Sequence, residues 1–283
     1  MRLRFDLVLA GLAAACAVAC SILVDSTGFT GADANEGDAG PPRDAAEEAA
    51  SIDAGEDASD GAPEVHPYVQ AVLADGPSLY YRLEETSDGP AKDEAGNHQG
   101  NYIAGGVHAV PGAFAGSTAY HLVGGTGGID PGDIFDFEGN AAFTLEAWFR
   151  PEGYDTQYRF LVHHNDARAL RQNYGIYVHS ESGLVFERYV DDSGRGAYTT
   201  NPTIGSWYHI VGVYDGAFIR LYVDGTLVNT GADNRSAKDK RSNLMIGYGY
   251  NGGGAVIGVL DEVAIYEKAL DASRITAHYR AVR

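Results

Sequence analysis

The sequence predicts an all-β domain, a sandwich or a barrel, over residues 67–283. Runs rich in β-branched and aromatic residues recur almost without interruption: Ser78–Glu85, Phe143–Arg150, Tyr158–His163, Tyr174–His179, Leu184–Val190, Trp207–Tyr214, Phe218–Asp224, Asn243–Tyr248 and Val256–Tyr266. Clusters of Gly, Asn, Asp and Pro separate them, which is the spacing of strands joined by turns. The alternation is clearest in Phe218–Gly225, where Ile219, Leu221 and Val223 fall on one face and Arg220, Tyr222 and Asp224 on the other. No helical repeat and no alternating βαβ pattern interrupts this reading.

The elements ahead of the domain differ in kind. Basic Arg2 and Arg4 precede an apolar run from Leu7 to Val18, which is too short to span a bilayer needing about 20 helical residues. Residues 1–20 therefore read as a secretory signal. Both cysteines of the chain, Cys16 and Cys20, lie inside it, so the exported domain has no disulfide available. Ala17-Val18-Ala19-Cys20 resembles a bacterial lipobox with Ala17 where Leu is usual, so Cys20 is the candidate lipidation site; cleavage to a soluble secreted protein is the alternative. Ser21 after that cysteine favours the outer membrane or cell surface as destination.

Residues 21–66 consist largely of Ala, Asp, Glu, Gly and Pro, with twelve acids and Arg43 as the one strong base. Such a segment cannot offset its ordering entropy and is expected to be a disordered tether. It carries more than half of the formal net charge of −19, so the domain itself is only mildly acidic. Nucleic acid is excluded as a partner, because clustered Lys and Arg are lacking. Within the domain, Pro67–Asp75 reads as a short amphipathic helix closed by Gly76-Pro77, and Asp224-Gly225 before Thr226-Leu227-Val228 as a two-residue hairpin turn. Asp271 reads as the N-cap of a short C-terminal helix reaching about Ala281.

An ordered set of segments then resembles the laminin G-like branch of the concanavalin A-like lectin/glucanase superfamily. These are Leu79–Glu85 with Lys92–His98, Phe143–Pro151, Trp207–Gly216 running into Leu221–Gly225, Ile246-Gly247, and Gly258–Tyr266 with Ala269-Leu270. The resemblance covers residues 67–283 and implies a two-sheet antiparallel jelly-roll sandwich with six or seven strands per sheet. A disulfide that many extracellular relatives carry near the C-terminus has no cysteine here.

The resemblance also implies a structural calcium ion where the segment after the first strand meets the last. Calcium takes six to eight oxygens, and Asp93, Asn97 and the distant Asp261 are the candidate ligands; the alternative is that Asp93 and Asn97 only shape a turn. The fold is shared by lectins and carbohydrate-binding modules, and sugars are held by aromatic faces and polar side chains. The outward members of their strands, Tyr177, His179, Glu187, Tyr189, Arg220 and Tyr222, together with loop residues Tyr248 and Tyr250, are the candidate ligand-binding residues.

Hydrolases of this fold need two carboxylates on one strand face, about 5 Å apart for retention. Phe143–Trp148 holds a single acid, Glu146, and Asp136-Phe137-Glu138 is flanked by Gly132, Gly139 and Asn140 as a loop edge. His163 and His164 are adjacent and point apart in a strand, so they cannot share a zinc ion. The expectation is a non-catalytic recognition module of the cell envelope, anchored by lipid alone, with carbohydrate or a glycoconjugate as partner. A glycoside hydrolase or polysaccharide lyase of the same fold, or a purely structural envelope protein, are the rivals.

Overall fold

Proline at the first helical position fixes φ where no N–H is needed, and helix α1 duly runs Pro67–Ala74, with His66 accepting from the Tyr68 N–H at its N-terminus. The structure, a computed structural model, describes residues 65–123, 126–166, 171–191, 193–238, 242–249 and 254–283. Expectations for the signal, Cys20, Tyr250 and all of the tether but Val65 and His66 lie outside these residues. Among the described residues no helix is long and apolar enough to cross a membrane.

The chain then forms β1 (Leu79–Tyr81), β2 (Pro90–Ala91), β3 (Gly100–Ile103), β4 (Gly106–Pro111), β5 (Thr118–Leu122) and β6 (Gly128–Gly132). The long strands follow: β7 (Phe143–Pro151), β8 (Arg159–Asp166), β9 (Arg171–His179), β10 (Gly183–Val190) and β11 (Ser193–Thr199). Last come β12 (Tyr208–Tyr214), β13 (Phe218–Val223), β14 (Thr226–Ala232), β15 (Asn243–Ile246), β16 (Gly258–Tyr266) and helix α2 (Ala272–Arg280). The β1 strand is shorter than the sequence implied because Leu83 takes a left-handed φ of 60°, which ends strand geometry. The turn between β13 and β14 is as expected, with Asp224 and Gly225 both at positive φ, 51° and 72°.

Two antiparallel sheets result. The first has the order β14-β13-β12-β7-β16-β5-β4, with β1 pairing β16 beside β5. The second is β11-β10-β9-β8-β15-β6-β3-β2. Each has eight strands rather than six or seven, because short Gly- and Pro-bearing segments such as β2 and β3 add themselves to the sheet ends. Their inward faces meet in one core, including Phe143, Leu145, Phe149, Ile176, Leu184, Phe186 and Leu221. A Cβ on Gly212 of β12 would come within 2.6 Å of the Phe186 ring. That glycine is the hole into which the opposite sheet inserts its largest side chain.

The outward face of the first sheet is not solvated. Trp148, Val211, Val213, Tyr222 and Tyr266 pack there against Tyr68, Val69 and Val72 of α1 and Ile275 of α2. In strands that alternate cleanly, one face was expected to meet water or ligand; the two helices cover it instead.

Candidate functional site

Beneath those helices lies a sealed polar network centred on Glu146, wholly buried on β7. Its carboxylate accepts from Tyr68 Oη at 2.9 Å and Tyr266 Oη at 3.0 Å, and pairs with His209 Nε2 at 2.7 Å and His278 Nδ1 at 3.1 Å. His278 Nε2 reaches Asp75 at 2.8 Å, which Arg274 also holds at 2.8 Å. Burial alone would raise the Glu146 pKa, but the charge of His278 and the bonds from both histidines outweigh it and hold the carboxyl well below its ordinary value. Burial lowers the His278 pKa, yet Glu146 and Asp75 together raise it above the usual imidazole value. The network ties both helices to three strands of the first sheet, and substrate cannot reach it.

The second sheet presents its outward face differently. Residues directly opposite each other across an antiparallel pair lie side by side on one face. The pairing Tyr177↔Val185↔Tyr198 makes one row across β9, β10 and β11, and Gly175↔Glu187↔Gly196 makes the next. Two tyrosines thus flank a valine, about 10 Å apart at two strand spacings, while the adjoining carboxylate stands between two glycines. Tyr189 faces Gly194 in the third row of β10 and β11. A Cβ at Gly194 would fall on the Glu187 carboxylate, so only glycine leaves that side chain its place.

The outcome is an open cleft of about 420 Å³ lined by Tyr177, Val185, Glu187, Tyr198 and the Glu181-Ser182 turn. It adjoins a second depression of about 640 Å³ that shares Glu181, Ser182 and Tyr198. Both volumes lie in the range of small-ligand sites. Tyr177 Oη donates to Glu187 at 3.0 Å. Burial first, then the Glu187 charge, raises its phenol pKa well above the ordinary value, so it stays a donor. Tyr198 is 62% exposed, and Tyr158, 54% exposed, stands edge-on to Tyr177 at 5.3 Å.

Of the eight residues expected to bind ligand, Tyr177, Glu187 and Tyr189 do share this face. His179 does not offer itself: its Nδ1 accepts from the Glu181 and Ser182 N–H groups and its Nε2 bonds Thr156 O, so both nitrogens shape the hairpin. Arg220 and Tyr222 belong to the first sheet, Arg220 paired with Asp215 at 2.6 Å and Tyr222 under the helices. Tyr248 is a core residue packed over Gly128. Sequence reasoning missed Tyr198, Tyr158 and the glycines beside Glu187; the Gly194-x-Gly196 spacing inside a strand is the signal that marks such a bare patch.

The expected calcium ligands do not fit one ion. Asp93 Oδ1 accepts from the Tyr80 and Ala95 N–H groups and Oδ2 from those of Asn97 and His98. All four lone-pair positions of the carboxylate are filled, so Asp93 shapes a turn. Tyr81 of β1 bridges to Asp93 on one side and pairs with Val263 of β16 on the other, placing a strand between Asp93 and Asp261. Asp261 instead accepts from Ala113 N at 2.8 Å, with its Oδ1 lacking a hydrogen bond. It sits with Glu262, at φ 51°, in the irregularity of β16 between β5 and β1. Burial drives both carboxyls upward, and the Glu262 charge adds to the rise at Asp261.

Among the described residues, the grouping whose ligand atoms lie within 4.8 Å of one another is Asp133, Asp136 and His164. His164 Nδ1 is held by Asn173 at 2.9 Å and Ser242 at 3.2 Å, and its Nε2 faces Asp136 at 3.2 Å. An imidazole with two carboxylates suits a zinc-type ion better than calcium. His163 points the other way, stacking on Phe160 at 4.1 Å while His164 stacks on Tyr174. Burial, then His164, pushes the His163 pKa down to about 3. Asp136-Phe137-Glu138 forms no strand: Phe135 and Phe137 take φ of 63° and 42°, which breaks the alternation a carboxylate pair would need.

A sandwich with an open aromatic cleft on one sheet and helices over the other defines a β-sandwich recognition fold. The chain belongs to the concanavalin A-like lectin/glucanase superfamily: a laminin G family model described in those terms matches residues 123–276. No curated protein sequence matches the chain.

Similar solved structures share the fold at low identity. Domain 4 of AbnA, an extracellular GH43 arabinanase from Geobacillus stearothermophilus, in complex with arabinotriose, is 17% identical, with 73% of this chain and 98% of that one aligned and a TM-score of 0.55. Trypanosoma rangeli sialidase in complex with the inhibitor DANA is 16% identical over 71% of this chain and 32% of its own, with a TM-score of 0.55. The binding domain of botulinum neurotoxin DC, in complex with SialylT, is 11% identical over 75% of this chain and 52% of its own, with a TM-score of 0.56. The chain therefore spans about a third of the sialidase and half of the neurotoxin domain.

Proposed function

We propose that the domain is a non-catalytic carbohydrate-recognition module that binds its ligand on the outward face of β9, β10 and β11. The observation that carries this is the pair of rows in which Tyr177 and Tyr198 flank Val185 beside a carboxylate standing between glycines. Aromatic faces take the C–H surface of a sugar ring, and the carboxylate and the Glu181-Ser182 turn accept or donate to its hydroxyls. The arabinotriose in the arabinanase domain and the SialylT in the neurotoxin domain support this ligand class.

Non-catalytic action is favoured by the supply of carboxylates. Among the outward positions of β10, Val185, Glu187 and Tyr189, one is acidic, and Glu146 is sealed under the helices. Export and lipidation at Cys20, with residues 21–66 as spacer, complete the proposal: a module held at a cell surface. A glycan array probed with the full chain and with Tyr198→Ala tests it. Binding to defined glycans, lost in the variant and unaccompanied by release of shorter sugars, is expected. Turnover of a bound glycan, or binding indifferent to Tyr198, overturns it.

A further inference from the structure

The cleft also carries information about the charge of its ligand, and this step rests on the carbohydrate reading above. We infer that the site selects a sugar bearing a protonated amine over acetylated or acidic sugars.

Two carboxylates, Glu181 and Glu187, line the cleft, and neither it nor the depression beside it has a Lys, Arg or His among its lining residues. The nearest imidazole, His179, has both nitrogens engaged by backbone groups. Glu187 is half-buried, and an ammonium donating to such a carboxylate forms a charge-assisted hydrogen bond, roughly twice as strong as a neutral one. The tyrosine rings on either side of Val185 present faces whose quadrupole also attracts a cation. An amino sugar matches both, because its ring C–H groups stack on an aromatic face while the ammonium beside them reaches the acid. A sialic acid or uronic acid would instead bring a carboxylate toward two others with no base to receive it, and like charges in a partly desolvated cleft repel. Acetylation removes the charge and adds bulk where Glu187 stands.

The test compares glucosamine tetramer, N-acetylglucosamine tetramer and sialyllactose by titration calorimetry on the full chain near pH 6. A hydrogen bond to a charged group contributes about 1.5–3 kcal/mol, so the amine form is expected to bind about ten- to a hundredfold tighter than the acetylated form. Glu187→Gln, which keeps the shape and can still accept from Tyr177, should erase most of that preference. Tyr198→Ala should weaken both sugars, and Asp271→Asn, a charge change at the N-terminus of α2, should leave the preference intact. That last variant separates a local contact from general attraction to an acidic protein. Equal or tighter binding of the acetylated or sialylated sugar, lost in Tyr198→Ala, overturns the inference and leaves the recognition site standing. Absence of binding to all three, together with silence on the glycan array, overturns both.

Discussion

The outward faces of the two sheets have opposite constructions. On the first, every outward side chain of β7, β12 and β16 finds a cover in α1 or α2, and the one acid among them, Glu146, is bonded by four partners. On the second, the outward acid Glu187 stands between glycines in an open trough. The same alternation in sequence thus yields a stability device on one face and a binding surface on the other, and what decides is whether helices close over it. Perturbing the two faces should therefore separate cleanly into effects on stability and effects on binding.

The largest expected effect is on the closed face. Glu146→Ala removes the acceptor shared by two tyrosines and two histidines and leaves them buried without it. Breaking a buried charged network by one partner costs about 3–5 kcal/mol, and urea denaturation should show a loss of that size, with Glu146→Gln milder. A loss under about 1 kcal/mol, the value of an exposed ion pair, would mean the network is solvated. Next comes the seam between the sheets. Gly212→Ala pushes a methyl into the Phe186 ring and should destabilise by about 1–3 kcal/mol, the usual range for overpacking; an unchanged denaturation midpoint would show that the seam yields.

The pH dependence follows from the same buried groups. His278, Asp261 and Glu262 all hold protons more tightly when folded than unfolded. A raised folded pKa gives stability that is present below the unfolded value and lost as the pH climbs through the folded one. For the two acids that loss begins near the ordinary carboxylate pKa of about 4.5, and for His278 near about 6.5. Glu146 acts in the other direction, its depressed pKa giving stability that disappears as acid protonates it below about 4.5. Stability should therefore be greatest in mild acid and fall toward pH 8, each unit of pKa shift being worth about 1.4 kcal/mol. Glu262→Gln should flatten the early part of the fall and His278→Gln the later part; stability rising from pH 5 to pH 8 would contradict the assignment.

The fold was legible because its long strands carry strong local signals. Residues 143–150, 184–190 and 218–224 each combine β-branched or aromatic side chains with turn residues at their ends, and all three are strands. The strands passed over, among them β3, β6 and β11, hold glycines or prolines and read locally as turns. That weakness hid half of the cleft, since β11 supplies Gly194, Gly196 and Tyr198. The candidate calcium site failed for a related reason: turn chemistry around Asp93 was correctly read, but its four backbone donors arise from a local fold that residue types do not reveal. Nor could sequence separate outward Tyr222 from outward Tyr177, because the alternation is identical and only the packing of α1 and α2 distinguishes them.

The smallest expected effect on stability is also the sharpest test of the open face. Tyr198 is 62% exposed at the edge of the second sheet and touches no buried network. Its replacement by alanine removes little packing, so folding stability should change by no more than about 0.5 kcal/mol, as for surface substitutions generally. If its ring is one wall of a sugar site, glycan affinity should nevertheless fall by tenfold or more, since stacking on a tyrosine face is lost. Measuring urea midpoint and glycan affinity on the same preparation sets the two readouts side by side. A variant equally impaired in both would place Tyr198 in the framework, and one impaired in neither would move the binding surface elsewhere.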